Sequence, residues 1–213
     1  MIRGRGEEKK YIIATLPIIK TATASDEAPI TDVMVRAFSA DPVAQWIWPD
    51  SQQYHIYFPS FVRVFGGKAF THGSAYYVDG YAAAALWLPP DVLPDEDMLI
   101  SIFKRSVSEQ SQKHVFTVFD QMARYHPSEP HWYLPLMGVD PFQQGKGFGS
   151  ALMQHALIQY DRDNKLAYLE SSSPRSIPFY ERHGFELLGT IRVGMSPPIF
   201  PMLRKPIQKK VKA

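Results

Sequence analysis

No cysteine occurs among the 213 residues, which excludes disulfides, thiolate metal sites and a cysteine nucleophile. It leaves the compartment open. Long apolar runs are missing as well. Tyr11–Ile19 is short, is broken by Pro17 and has no small-residue cleavage pattern after it. Neither a signal peptide nor a membrane span is read there, so cytoplasmic residence is the default and no membrane partner is expected. Charge of one sign is also lacking: 23 Lys and Arg against 21 Asp and Glu leave a formal net charge of +2. That is no basic excess of the size a nucleic acid requires, so no nucleic-acid partner is expected. The basic clusters sit at the ends (Arg3, Arg5, Lys9, Lys10 and Lys205, Lys209, Lys210, Lys212) and read as solvated tails. The histidines are scattered without metal-ligand spacing, and His55, His72, His114 and His126 read as surface or core residues. No metal is expected.

What is present is core material, 45% hydrophobic and 13% aromatic. Residues 1–10 are expected to be a disordered arm, 11–206 a single domain and 207–213 a basic tail. The pattern predicts a strand over Ile12–Ala22, a helix from Asp26 to about Phe38, a tryptophan-bearing loop (Trp46, Trp48) and a helix over Gln52–Phe65. Asp79-Gly80 between Ala75–Val78 and Tyr81–Leu88 reads as a hairpin turn with both central residues at φ > 0. Helices are predicted over Glu96–Val107 and Gln110–Tyr125. The C-terminal third then alternates: strand His131–Val139, helix Gly149–Arg162, strand Leu166–Ser171, short helix Ile177–His183, strands Glu186–Val193 and Phe200–Arg204. That order predicts a mixed α/β sandwich with function in this third.

Val139–Ser150 joins a strand to a helix and carries Gly145, Gly147 and Gly149 at alternate positions. Such a loop brings backbone amides close to a ligand, and the unpaired N–H groups opening the helix complete an anion site suited to a pyrophosphate. A flexible turn is the plain alternative. A Walker loop fails because no Gly-Lys-Ser/Thr follows a four-residue spacer. A dinucleotide fingerprint is the closer rival, because Glu170 stands where a ribose-binding acid would. But the glycines read G-x-G-x-G, and the chain ends too soon after Glu170 to build a doubly wound sheet.

Gln144-Gly-Lys-Gly-Phe-Gly149 resembles the Q/R-x-x-G-x-G/A motif of the GCN5-related N-acetyltransferase (GNAT) family. Pro174–Phe185, with Phe179-Tyr-Glu-Arg-His-Gly-Phe185, resembles its second acetyl-CoA segment. The two motifs stand in the family's order. The likeness is dense over Glu129–Pro206 and is closest to the puromycin N-acetyltransferase-like members. It implies a mixed, mostly antiparallel central sheet flanked by helices, splayed between the strands at about 131–139 and 166–171, with acetyl-CoA as cosubstrate bound by about 131–206. Gln144 would bind the cofactor, the amides of Gly145, Lys146, Gly147, Phe148, Gly149 and Ser150 would hold the pyrophosphate, and main-chain groups of Met137 and Val139 the pantetheine. Ser173, Ser176 and Phe179 would complete the cofactor contacts. Ser173 and Ser176 stand where many relatives carry Asn or Ala. Pro135, which has no N–H, and Gly138 support an opening in that strand.

The resemblance gives Tyr180 the role of proton donor to the departing thiolate; packing under the cofactor is the alternative. A phenol of pKa ~10 facing a thiol of ~8.5 makes full transfer uphill by roughly 2 kcal/mol. No general base is evident. The strand 131–139 offers only His131, and Glu170 reads equally well as a salt-bridged carboxylate. Without a base, an amine near pKa 7.7–8.0 is easier to use at pH 7 than a lysine, whose neutral fraction costs about 4.6 kcal/mol. Trp46 and Trp48 are candidates for an apolar acceptor wall. The expected partner is a small-molecule amine, and the expected state a monomer or homodimer. Acetylation of a protein lysine or N-terminus, and a non-catalytic acyl-CoA-binding module, are the other readings.

Overall fold

The computed structural model describes residues 17–207; the expected arm at 1–10, residues 12–16 of the expected first strand and most of the basic tail lie outside them. Strand β1 (Ile19–Thr21) is followed by helices α1 (Glu27–Ala37), α2 (Pro42–Ile47), α3 (Ser51–Gly66) and the short α4 (Lys68–Thr71). The hairpin β2 (Ala75–Val78) and β3 (Ala83–Leu88) leads to α5 (Glu96–Ser106) and α6 (Glu109–Tyr125). The last third is β4 (His131–Val139), α7 (Phe148–Arg162), β5 (Leu166–Ser171), α8 (Ile177–Glu181), β6 (Glu186–Leu187) and β7 (Phe200–Arg204). The seven strands lie in the order β1-β2-β3-β4-β5-β7-β6. Every pairing is antiparallel except β4 with β5. This is the mixed, mostly antiparallel sheet that the resemblance implies.

Alternation along the central strands divides the core in two. Leu86, Leu88, Tyr133, Leu136 and Tyr168 face α1, α3, α5 and α6. Trp87, Leu134, Ala167 and Leu169 face α7, against Leu152, Met153, Ala156 and Tyr160. Both faces of β3 are covered, which is why Ala83–Leu88 is buried throughout. On the α7 side Tyr160 lies edge-on to Trp87 and stacks on Trp132, with centroids 5.0 and 4.1 Å apart.

β4 parts from its neighbour halfway along. Its parallel pairing with β5 runs from His131↔Leu166 to Leu134↔Leu169. The next residue, Pro135, has no N–H to extend the ladder. Against β3 the register passes from Leu88↔Tyr133 to Leu86↔Leu136, so β4 uses one extra residue there, a β-bulge at Leu134-Pro135. The rest of β4 stays on β3, and its other edge opens into a V.

Three local expectations are corrected. The tryptophan-bearing segment is not all loop: Asp41 accepts hydrogen bonds from the Val43 and Ala44 amides and Pro42 occupies the first turn, so α2 forms, with Trp46 inside it and Trp48 at its C-cap. The hairpin turn sits one residue later than expected, with positive φ at Gly80 (80°) and Tyr81 (56°). Tyr81 tolerates this while its hydroxyl donates to Asp26 at 2.6 Å. The expected strand Glu186–Val193 shrinks to Glu186–Leu187 plus an isolated bridge, Ile191↔Ile199. Between them Gly189 lies so close to Tyr125 that an added Cβ would stand 2.6 Å from its hydroxyl.

The C-terminal strand is locked to α7 by buried Arg204, which donates to Asp161 from both terminal nitrogens (2.6 and 2.8 Å) and to the His183 carbonyl. Burial pushes the Asp161 carboxyl up, but Arg204 and the Ile207 amide outweigh it and hold it below the usual value. A lowered folded pKa gives stability that is present above the unfolded carboxylate value near ~3.9 and is lost as pH falls through the folded value. Asp161→Ala is therefore expected to cost roughly 2–3 kcal/mol at pH 7, because it strands a buried guanidinium. Urea unfolding at pH 7 and at pH 3 checks this: the gap between variant and wild type should shrink at the lower pH.

Candidate active site

A cavity of about 560 Å³ fills the V. It runs from Gln144 and Gly149 at the glycine loop, past Met137 and Val139, to Trp48, Phe58 and Phe61 on the helical side. The loop follows from its glycines: Gly145 and Gly147 stand at φ 79° and 82°, the left-handed region, and a Cβ at either would meet nothing within 4 Å. Gly147 caps α7 without a side-chain hydrogen bond, so the first N–H groups of this 15-residue helix have no capping acceptor. A diphosphate fits this arrangement: a positive helix end, two glycines leaving the backbone bare, and open space.

The edge of β4 fits a strand-like ligand. The Asp140 amide donates to the Ala82 carbonyl at 3.0 Å. In an antiparallel ladder hydrogen-bonding direction alternates, so Gly138 and Leu136 also turn toward β3. Met137 and Val139 therefore turn their main-chain groups to the open edge. Among the described residues, a Gln144 side-chain contact of 3.5 Å reaches Val139 there. Gly138 lets α1 press on this strand, since a Cβ would come within 2.7 Å of Ala37 Cβ and 3.0 Å of Met34 Sδ.

The other expected residues distribute as follows. Ser173, Ser176, Phe179 and Tyr180 line the cavity. Ser173 also caps the turn at Pro174–Ser176 through the Arg175 amide, and its carbonyl accepts from the Ser171 hydroxyl. Phe179 packs on the first turn of α7, 3.4 Å from where a Gly149 Cβ would stand. Gly145, Gly147, Phe148 and Ser150 build the loop and the first turn beside the cavity. Lys146 points aside, its Nζ 2.7 Å from Gln143 Oε1. Trp48 is buried in the cavity wall, whereas Trp46 lies outside it, packed with Val118, Ile191 and Ile199. Burial, and then Asp41, raise the Tyr180 phenol above its ordinary value, so it stays protonated at neutral pH.

Two residues that sequence reasoning missed close the cavity. Asp41, at the mouth of α2, accepts a short hydrogen bond from the Ser172 hydroxyl just after β5, which ties the helical wall to the strand on the far side of the V. Burial pushes the Asp41 carboxyl up against the pull of Ser172 and of the α2 amides. Asp-Pro announces a helix cap, but only the tertiary structure brings Ser172 to it. His131 stands away from this cavity, whereas Glu170 lines both it and a second one of about 750 Å³ between α5, α6 and the start of β4.

Residues 109–187 match the family model described as acetyltransferase (GNAT) domain. An uncharacterized N-acetyltransferase of Schizosaccharomyces pombe is 26% identical over 204 residues, 88% of this chain and 83% of that one. Among solved structures, the Corynebacterium glutamicum "histone acetyltransferase HPA2 and related acetyltransferase" is 28% identical, covers 92% of this chain and 99% of its own, and has a TM-score of 0.64. Arylalkylamine N-acetyltransferase 2 of Aedes aegypti shares the fold at 11% identity, covering 89% and 99%, with a TM-score of 0.62. Family model and structures together support an acetyltransferase of the GNAT type.

The loop geometry makes a direct prediction. Gly147→Val places a β-branched residue at φ 82°, a strain of roughly 1–3 kcal/mol that the loop relieves by moving its amides. Calorimetry should find acetyl-CoA binding abolished, while Lys146→Ala loses no more than about one charge-assisted hydrogen bond, 1.5–3 kcal/mol. Unchanged affinity in Gly147→Val would remove the loop from the binding site.

Proposed function

We propose that the protein transfers an acetyl group from acetyl-CoA to the primary amine of a small, partly aromatic molecule, by direct attack in a ternary complex. One observation carries this reading: a single cavity joins the anion-binding loop, the open edge of β4, Tyr180 and a wall of Trp48, Phe58 and Phe61. Acetyl-CoA, when bound, would supply the activated thioester. The amides of Gly145–Ser150 would hold its diphosphate, and the main chain of Met137 and Val139 its pantetheine. Tyr180 would donate to the departing sulfur. Its raised pKa favours a shared hydrogen bond over complete proton transfer.

The aromatic wall favours a small acceptor over a protein lysine or N-terminus, because a peptide needs an open groove. Tyr180 in the cavity speaks for catalysis against a non-catalytic acyl-CoA-binding module, which has no use for an acid there. The finer likeness to puromycin N-acetyltransferase-like members rests on the spelling of Glu129–Pro206, and it too points to a small amine. Release of free CoA thiol across a panel of aromatic, aliphatic and peptide amines tests the acceptor class; turnover confined to peptides would reverse the preference.

Tyr180→Phe keeps the ring and loses only the phenolic proton. Its kcat is expected to fall ~10²–10⁴-fold with acetyl-CoA affinity within a few-fold of wild type. Single-turnover kinetics with any accepted amine measures this, and a wild-type rate would return Tyr180 to packing.

A further inference from the structure

Behind the aromatic wall three titratable groups stand in line. Glu170 leaves β5 on the same face as Tyr168, and its side chain is 3% exposed. Its Oε1 is buried without a hydrogen-bond partner, and the residue lines both cavities. His126, at the C-cap of α6, holds Nε2 3.4 Å from that oxygen and Nδ1 3.0 Å from His131 Nε2. His131 Nδ1 lies 2.8 Å from the Glu129 carbonyl. Both histidines line the second cavity.

The network assigns the protons. A carbonyl only accepts, so His131 Nδ1 carries hydrogen. Burial lowers His131, which keeps the ring neutral and makes its Nε2 an acceptor for His126 Nδ1–H. His126 Nε2 is then the atom free to gain or lose a proton, and it faces Glu170. The surroundings are consistent with this. Burial, and then the carboxylate itself, raise Tyr133 and Tyr168 far above the ordinary phenol value, so both remain neutral beside Glu170. Tyr125 acts on Tyr168 from α6, and Asp91 on His131. Among the described residues no group of three or more His, Asp or Glu side chains is arranged to hold a metal.

Although His126 and the Tyr133 and Tyr168 phenols lie against this carboxylate, Oε1 is left without a hydrogen bond and can accept one from a group entering the first cavity. We propose that Glu170 Oε1 is the general base that takes the proton of the acceptor amine, and that His126 and His131 carry that proton to the second cavity. This rests on the reading of the first cavity as an acetyl-transfer site. The acceptor enters as its ammonium. Once the N–C bond has formed and the C–S bond has broken, a second N–H proton restores the Tyr180 phenol that protonates the sulfur. The first, lost from the ammonium to free the attacking lone pair, lands on Glu170 Oε1. It passes to His126 Nε2, giving an imidazolium that shares its other ring proton with His131 Nε2. The histidine pair releases one proton to water in the second cavity, and Glu170 is a carboxylate again. With such a base the acceptor need not have a low pKa, so lysine-like aliphatic amines enter the substrate range.

The test compares wild type, Glu170→Gln and His126→Gln by kinetics, calorimetry and imidazole NMR. In wild type the acidic limb of kcat/KM is expected to stay at one pH when acceptors of different amine pKa are exchanged. In Glu170→Gln, kcat/KM should fall ~10²–10⁴-fold and the limb should track the acceptor, with acetyl-CoA affinity unchanged. His126→Gln, which keeps Glu170 in place, should fall less and displace the limb. In ¹⁵N-labelled wild type without ligands, His131 should be protonated at Nδ1 alone at neutral pH, and Glu170→Gln should move the ¹⁵N resonance of His126 Nε2. A wild-type rate in Glu170→Gln, or a wild-type limb that follows the acceptor, overturns the proposal. If wild type acetylates no amine, the transfer reading fails separately; the NMR then decides the relay, and an unmoved His126 Nε2 resonance overturns it.

Discussion

The parallel ladder between β4 and β5 stops at Leu134↔Leu169 because Pro135 brings no N–H to continue it. Everything else at the site depends on that interruption. Had the strands stayed paired, the main-chain groups of Met137 and Val139 would bond to β5, and the space now open to a ligand would be sheet. The bulge at Leu134-Pro135 keeps β4 on β3 while it leaves β5, so one edge is held rigid and the other is exposed.

The two faces of the divided sheet take different tasks. α7 seals one face through Leu152, Met153, Ala156 and Tyr160 and points its N-terminus into the V. The rigid packing behind this helix fixes the position of its free amides. The other face carries Tyr133, Tyr168 and Glu170 toward α3, α5 and α6. On that side Trp48 Nε1, the Tyr168 hydroxyl and Glu170 Oε1 are buried without a hydrogen-bond partner. The aromatic wall therefore has a double effect, shaping a space for an apolar acceptor and lowering the local dielectric around Glu170. The Asp41–Ser172 hydrogen bond closes the circle between the helical wall and the strand end.

Much of the C-terminal third was legible. β4, β5 and β7 have the bounds that alternation and turn residues predict, and α7 starts one residue early. The glycine loop was readable because glycine adopts φ 79° and 82° with no Cβ to strain. α2 was missed because Trp46 and Trp48 obscured a helix fixed by one cap at Asp41. Strand β6 was overestimated because, past Leu187, only the Ile191↔Ile199 bridge remains, while Ile191 and Val193 pack with Val118 and Tyr125.

The sequence by itself determined where backbone must approach a ligand, because glycine and proline act locally through φ and the missing N–H. It also determined which residues alternate between two buried faces. Only the tertiary structure decided which side chains meet. Ser172 reaches Asp41 across 131 positions, and His126, His131 and Glu170 come from a helix end and two parallel strands. Trp46 and Trp48, two residues apart, part company because a helical turn sends one to the cavity wall and the other against Ile191 and Ile199. Contacts of this kind follow from how elements pack, and no local pattern of residues encodes them.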